Sequence, residues 1–170
     1  RVLMIPYGIL LTLYLAVVGG VGGWLAYEVR AAETRLLVDE IMAAIVPLAE
    51  TLRARDALAA MRDRDAALVA DVESLFAELS ALRNLSVRGP ESGFRMEPGA
   101  DGAVSSRSAA PLPEESRRAD AFPPPVQRLH EETDRLFLVR FDMSEVGKPL
   151  VTLDFAFDRP MLLDKINKGG

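Results

Sequence analysis

The run from Arg128 to Asp134 (RLHEETD) holds the one histidine of the chain. A zinc-protease helix needs His-Glu-x-x-His, two imidazoles one turn apart with a glutamate base between them. Here there is no second imidazole, and a lone histidine cannot build a His-based metal site. Cysteine is absent, which removes disulfides, thiolate zinc sites and a cysteine nucleophile. No Gly-x-Ser-x-Gly turn accompanies His130 for a Ser–His pair. The 25 acidic side chains are spread over helix faces and loops, so no acid–base pair is assigned. Gly19, Gly20, Gly22 and Gly23 sit in an uncharged apolar run and do not form a phosphate loop. His130 reads as a surface residue. Arg117-Arg118 beside Glu114-Glu115 reads as a solvated charge cluster, or as a contact pinning a loop to a partner. No catalytic, cofactor-binding or metal-binding residue is assigned, and the chain reads as a non-enzyme.

What the spacing does mark is a membrane anchor with a helix-docking face. Val2 to Tyr27 carries no charge, and a spanning helix needs about 20 predominantly apolar residues. The run is too long for the apolar region of a cleaved signal. Gly8, Thr12, Ala16 and Gly20 recur every four residues and so share one helix face. Gly19 and Gly23 form a GxxxG pair beside them. Close approach over small residues is what favours helix association in lipid, although glycine is also common in membrane helices generally. Tyr14, near mid-membrane, would want a hydrogen-bond partner there. Trp24 and Tyr27 suit the far interface, and Tyr7 with Pro6 the near one.

The net charge is −5, from 25 acidic and 20 basic residues well mixed along the chain. A nucleic-acid surface needs a basic face, so none is expected. Arg1 flanks one end of the anchor, while Arg30 and Arg35 lie past the other among Glu28, Glu33, Asp39 and Glu40. The positive-inside count is indecisive on these residues. The general tendency of N-terminal anchors places the following domain outside, that is, periplasmic on a bacterial inner membrane.

Residues 28–86 contain no glycine and are rich in Ala, Leu, Glu and Arg, all good helix formers. Leu37, Ile41, Ala44, Ile45, Leu48 and Leu52 make one helical stripe, widened by Val38, Met42 and Ala49. Pro47 should bend that helix. The charged run Arg53 to Asp65 marks a joint, with Asp63 or Asp65 capping the next helix. Leu68, Val72, Leu75, Leu79 and Leu82 make the second stripe. The two helices should pack as a hairpin, a continuous rod being the alternative. Asn84-Leu85-Ser86 matches a glycosylation sequon, a match too common by chance to carry a function.

Residues 87–125 read as an irregular Pro/Gly/Ser-rich loop. Phe94 to Glu97 is a candidate short strand, with Pro98 to Gly102 as its turn. Ala103 to Pro125 has too little to bury on its own. Arg117, Arg118, Phe122, Pro123, Pro124 and Pro125 are candidates for contact with a partner. Val126 to Asp134 reads as a short helix. The period then becomes two: Phe137, Val139 and Phe141 alternate with Leu138, Arg140 and Asp142. Past a turn at Met143 to Lys148, Val151, Leu153, Phe155 and Phe157 alternate with Thr152, Asp154, Ala156 and Asp158. This predicts an antiparallel hairpin with one buried face. Asp158 should cap a last helix whose apolar side is Met161, Leu162, Leu163 and Ile166.

The reading is therefore α+β: an anchor at 1–27, a helical hairpin at 28–86, a loop at 87–125, and a hairpin with closing helix at 126–170. The last part should pack with 28–100 as one extracytoplasmic domain. This order, with Gly147 to Asp158 followed by Leu162 to Ile166, resembles the extracytoplasmic PAS-like (PDC or CACHE type) sensor regions of bacterial sensor kinases and chemoreceptors. The resemblance implies that Gly147 to Asp158 includes the final strand of such a domain. It also implies that the closing helix returns toward a second span. No ligand residue carries over. No second span or signalling module follows Gly170, which suggests a fragment, or a sensor-like scaffold put to another use.

Two functions are expected from these features. The first is a non-catalytic, single-pass accessory subunit without cofactors. Its partners would be integral membrane subunits of a multi-subunit complex, photosynthetic and respiratory complexes being two such classes. The alternative is a sensory input domain that binds a small molecule in a pocket behind the hairpin. A transiently binding assembly factor is a third.

Overall fold

A computed structural model describes residues 4–113, 127–143 and 150–168. The chain divides into two units, Arg1–Glu40 and Ile41–Gly170. Helix α1 covers Met4–Arg53. In the first unit, side chains 8–30 are all exposed, and α1 holds one window long and apolar enough to cross a membrane. The Thr12 hydroxyl donates to the carbonyl of Gly8 at 2.7 Å, so this polar group is satisfied inside the helix.

The second unit is α+β. It begins with the end of α1, where Ile41, Ile45, Leu48, Ala49 and Leu52 are buried as the stripe predicts. The helical assignment runs through Pro47 to Arg53. The charged joint then breaks the rod: α2 (Ala57–Arg62) is capped by Asp56, and α3 (Ala66–Glu78) by Asp65. Asp65 Oδ1 accepts from the amides of Ala67 and Leu68 at 2.9 and 3.3 Å, satisfying donors that a helix start leaves open. Arg64 takes a positive φ of 50° between the two helices, and its guanidinium donates to the Val104 carbonyl at 3.0 Å. The second helix is shorter than the stripe suggested. Leu79 is its C-cap, and Leu82 already opens a strand.

Six strands follow: β1 (Leu82–Arg88), β2 (Gly93–Pro98), β3 (Val104–Ala109), β4 (Gln127–Thr133), β5 (Leu136–Asp142) and β6 (Thr152–Asp158). Helix α4 (Arg159–Lys168) closes the chain. The sheet order is β3-β2-β1-β6-β5-β4, with every pairing antiparallel. Two meanders thus meet along β1 and β6, the first and last strands, at the centre of the sheet.

Two expectations are corrected here. The stretch 87–125 is not irregular throughout, because β2 and β3 lie within it. The expected strand at Phe94 to Glu97 is present, and its turn is closed by the Gly99 amide on the Ala103 carbonyl, with Gly102 at φ +81°. The first part of the polar tail, Val104 to Ala109, finds order by pairing its backbone with β2. Within the stretch expected to be a short helix, Gln127–Thr133 is a strand. Its Glu, His and Arg content suits a helix locally, but pairing with β5 decides the outcome.

Register fixes the two faces of the sheet. Leu85, Val87, Met96, Val104, Val139, Phe141, Leu153, Phe155 and Phe157 share one face, and all are buried. Phe141 and Phe155 meet edge to face at 5.7 Å between ring centroids. Helix α2 lies against β1 and β2, and α3 against β3. The helix stripes and this sheet face leave water together, as a two-layer domain requires.

Candidate ligand site on the polar face of the sheet

The other face is polar, and at its centre it is buried too. Thr152, Asp154 and Ala156 of β6 are 2%, 1% and 4% exposed, although the alternation predicts a solvated side for them. That expectation fails because β6 is a central strand, flanked by β1 and β5, and not the edge of a hairpin.

Asp154 sits at the middle. Arg140, its direct partner on β5, donates from Nε to Oδ1 at 2.8 Å and from Nη2 to Oδ2 at 3.1 Å. This is the forked, charge-assisted geometry that guanidinium and carboxylate favour. On the opposite side, Arg88 Nε lies 3.9 Å from Asp154 Oδ2, an ion-pair distance but too long for a hydrogen bond. One carboxylate is thus flanked by two guanidiniums on neighbouring strands.

Reading across the strands, register places Arg107, Arg95, Ser86, Asp154, Arg140 and Arg128 in a single row. The next row contains Gly93, Arg88, Thr152 and Asp142. Among the residues whose side chains are described, these two rows carry four arginines and two aspartates. Among the described residues, three buried side-chain atoms lack a hydrogen-bond partner: Arg88 Nε, Arg95 Nε and Thr152 Oγ1. All three lie on this face. A buried polar group left unsatisfied costs about 1–3 kcal/mol, and native folds retain few of them. Directly paired residues stand about 5 Å apart and diagonal ones about 7–8 Å. Arg88 is paired with Thr152 and is diagonal to Arg95 through Gly93. Among the described residues, no cluster of His, Cys, Asp or Glu is suited to a metal.

Two other features of the second unit are candidate sites. A groove of about 220 Å³ runs between α1 and α3, lined by Pro47, Leu48, Thr51, Asp71, Leu75 and Glu78 among others. This cavity lies between two helices, whereas the sensory alternative expects one behind the hairpin. The second feature is a clamp at the end of β6. A bulge in β1 between Leu82 and Asn84 turns Arg83 toward Asp158, as bulges re-aim side chains. Arg83 Nε donates to Asp158 Oδ2 at 3.0 Å, while Oδ1 accepts the Met161 amide at 3.1 Å and caps α4 as expected. The hydrogen bond from Arg83 first, and the Met161 amide second, hold the Asp158 carboxyl below its ordinary range. The apolar side assigned to α4 is only partly realised: Leu162 is buried, but Met161 and Leu163 are exposed.

The sequence-derived residues fall elsewhere. Gly8, Thr12, Ala16, Gly19, Gly20 and Gly23 are all exposed on α1, and a Cβ at any of these glycines would meet nothing within 4 Å. Trp24 and Tyr27 are 62% and 70% exposed. The Tyr7 side chain, Glu114-Glu115, Arg117, Arg118, Phe122, Pro123, Pro124 and Pro125 lie outside the described residues. Most of the hairpin turn, 144–149, does too. His130 occupies a β4 position opposite Leu138. Sequence reasoning missed Arg88, Arg95, Thr152 and Asp154 as site residues. The available signal was an Arg and an Asp facing each other across a predicted hairpin, Arg140 and Asp154.

No family model matches the chain, and no curated protein does. Among solved structures, the chain is similar to one described as the "extracellular domain of the putative histidine kinase vpHK1S-Z8", with a TM-score of 0.46 and 9% identity. The match covers 85% of this chain and 57% of the other, so the chain spans less than two thirds of that neighbour's length. At this score the likeness assigns neither a fold family nor a function.

Proposed function

We propose that the chain is a membrane-anchored, non-catalytic sensory input domain that binds a small polar molecule on the polar face of its sheet. The supporting observation is a set of buried atoms without hydrogen-bond partners on three neighbouring strands, Arg95 Nε, Arg88 Nε and Thr152 Oγ1. A fold that only braced neighbours would gain nothing from keeping them unsatisfied. In this reading the apolar window of α1 anchors the chain, the second unit faces the periplasm as a PAS-like domain, and α4, which follows β6 directly, carries the response onward.

A second reading keeps the accessory subunit. Its support is the small-residue face of α1, which has open space at Gly8, Gly19, Gly20 and Gly23. In a receptor, the same face would pair two copies of the chain.

A thermal-shift screen of the full chain in mild detergent, against a broad panel of polar metabolites, separates the two readings. A ligand at a hundred times its Kd stabilises by about 2.7 kcal/mol, or several degrees in Tm for a chain of this size. A saturable shift supports the receptor. The absence of any shift, with integral subunits co-purifying in fixed ratio, overturns it in favour of the accessory role.

A further inference from the structure

We infer that the ligand is a small oxyanion, a carboxylate or phosphate group held by Arg88, Arg95 and Thr152. This assignment rests on the ligand-binding reading above and adds the place and the chemistry. Each of the three unpartnered atoms can donate: a guanidinium Nε–H carries no lone pair, and a threonine hydroxyl supplies one proton. A group satisfying the two guanidinium atoms must accept, the hydroxyl being free to donate to it as well, and an anion accepts with the strongest hydrogen bonds. A cation is disfavoured. Of the carboxylates here, Asp154 has both oxygens taken by the Arg140 fork, Glu97 is paired with Arg95, and Asp142 alone does not balance the arginines beside it.

The charge on this face agrees. The two rows carry Arg88, Arg95, Arg107 and Arg140 against Asp142 and Asp154. Glu97, one step further along β2, lies 3.8 Å from Arg95 Nη1 and leaves the Arg95 Nε without a hydrogen bond. The Arg140–Asp154 pair has a further role. It holds a neutralised pivot beside Arg88, so the Arg88 guanidinium is positioned by a charge 3.9 Å away without being consumed by it.

The test uses the full chain in lipid nanodiscs, titrated calorimetrically with acetate, succinate and inorganic phosphate, and with putrescine and glycerol as cationic and neutral controls. At least one oxyanion should bind saturably. Its affinity should fall at least about tenfold in each of Arg88→Gln, Arg95→Gln and Thr152→Val, the loss of one hydrogen bond to a charged group. Thr152→Val should melt no lower than the parent chain, so its lost binding is not lost folding. Binding by acetate or succinate alone assigns a carboxylate source. Binding by phosphate alone assigns a phosphate source. Failure of all three anions, or binding that all three variants leave unchanged, overturns the inference. Should a neutral or cationic compound bind instead, the receptor reading stands and the oxyanion falls. Should nothing in this set or in the wider screen bind, both fall.

Discussion

The two faces of β6 are equally buried and are held by opposite means. On one, Leu153, Phe155 and Phe157 are each 0% exposed, with no polar atom to satisfy. On the other, Thr152 and Asp154 are 2% and 1% exposed, one with an orphan hydroxyl and the other between two arginines. The apolar face stabilises through area removed from water. The polar face at best breaks even on folding, because desolvating charges offsets most of what their pairing returns.

The widest separation between the faces should come from truncating Phe155. Phe155→Ala removes a fully buried ring together with its contact on Phe141. The expected loss is about 3–5 kcal/mol, read as a lower urea midpoint. If the loss is under about 1 kcal/mol, this face is not the core.

Asp154 tests the polar face by a different route. Asp154→Ala leaves Arg140 and Arg88, on the two strands that flank β6, without the carboxylate between them, and should cost about 3–5 kcal/mol. Replacing the pair together, Arg140→Met with Asp154→Leu, should recover most of that loss. The double-mutant cycle is the informative readout. A double variant no better than the single one would show that the pair holds the sheet together and is not only a positioning device.

The fold was more legible in the sequence than the site, and these residues show why. The stripes of Ile41 to Leu52 and Leu68 to Leu79, the cap at Asp65 and the positions of the β5 and β6 strands come from local patterns, and each matches what is observed, although the solvated face expected of β6 does not. His130 and its neighbours were misassigned because β4 owes its conformation to β5. Leu82 was placed on a helix, since a stripe does not reveal where a helix stops. The site depends on a longer-range fact. Arg140 and Asp154 look solvated in an isolated hairpin, and they become central only when β1, from the far end of the domain sequence, pairs with β6. Nothing in the local pattern encodes that pairing. Arg88 and Arg95 gave no signal at all, because charged residues on strands are ordinary.

Thr152 sharpens the contrast between the faces, because its effect has the opposite sign. Its hydroxyl is buried without a partner. Thr152→Val keeps the shape and removes the polar group, so the ligand-free protein should gain about 1 kcal/mol. That gain would raise Tm by about 2–4 °C in a chain of this size. No substitution at Phe155 to a smaller residue can do this. A lower Tm for Thr152→Val in ligand-free protein would mean that the hydroxyl is satisfied after all, and the contrast would weaken.

The smallest effect should come from the end of β6, where the strand leaves the buried centre. Asp158 caps α4 through one oxygen and binds Arg83 through the other, and Arg83 itself is largely exposed. Asparagine caps a helix about as well as aspartate, so Asp158→Asn keeps the cap and removes the charge pairing. Because Arg83 and the Met161 amide lower the carboxyl's affinity for protons in the folded state, its contribution is fully present above its unfolded value of about 3.8. It is lost as pH falls through the lower folded value. Parent and variant should therefore differ slightly near pH 7, in hydrogen exchange at the α4 amides, and converge well below about pH 4. A difference that persists unchanged into strong acid would show that the α4 junction depends on the shape of residue 158 and not on its charge. In that case the exposed end of β6 would follow the packing logic of its apolar face.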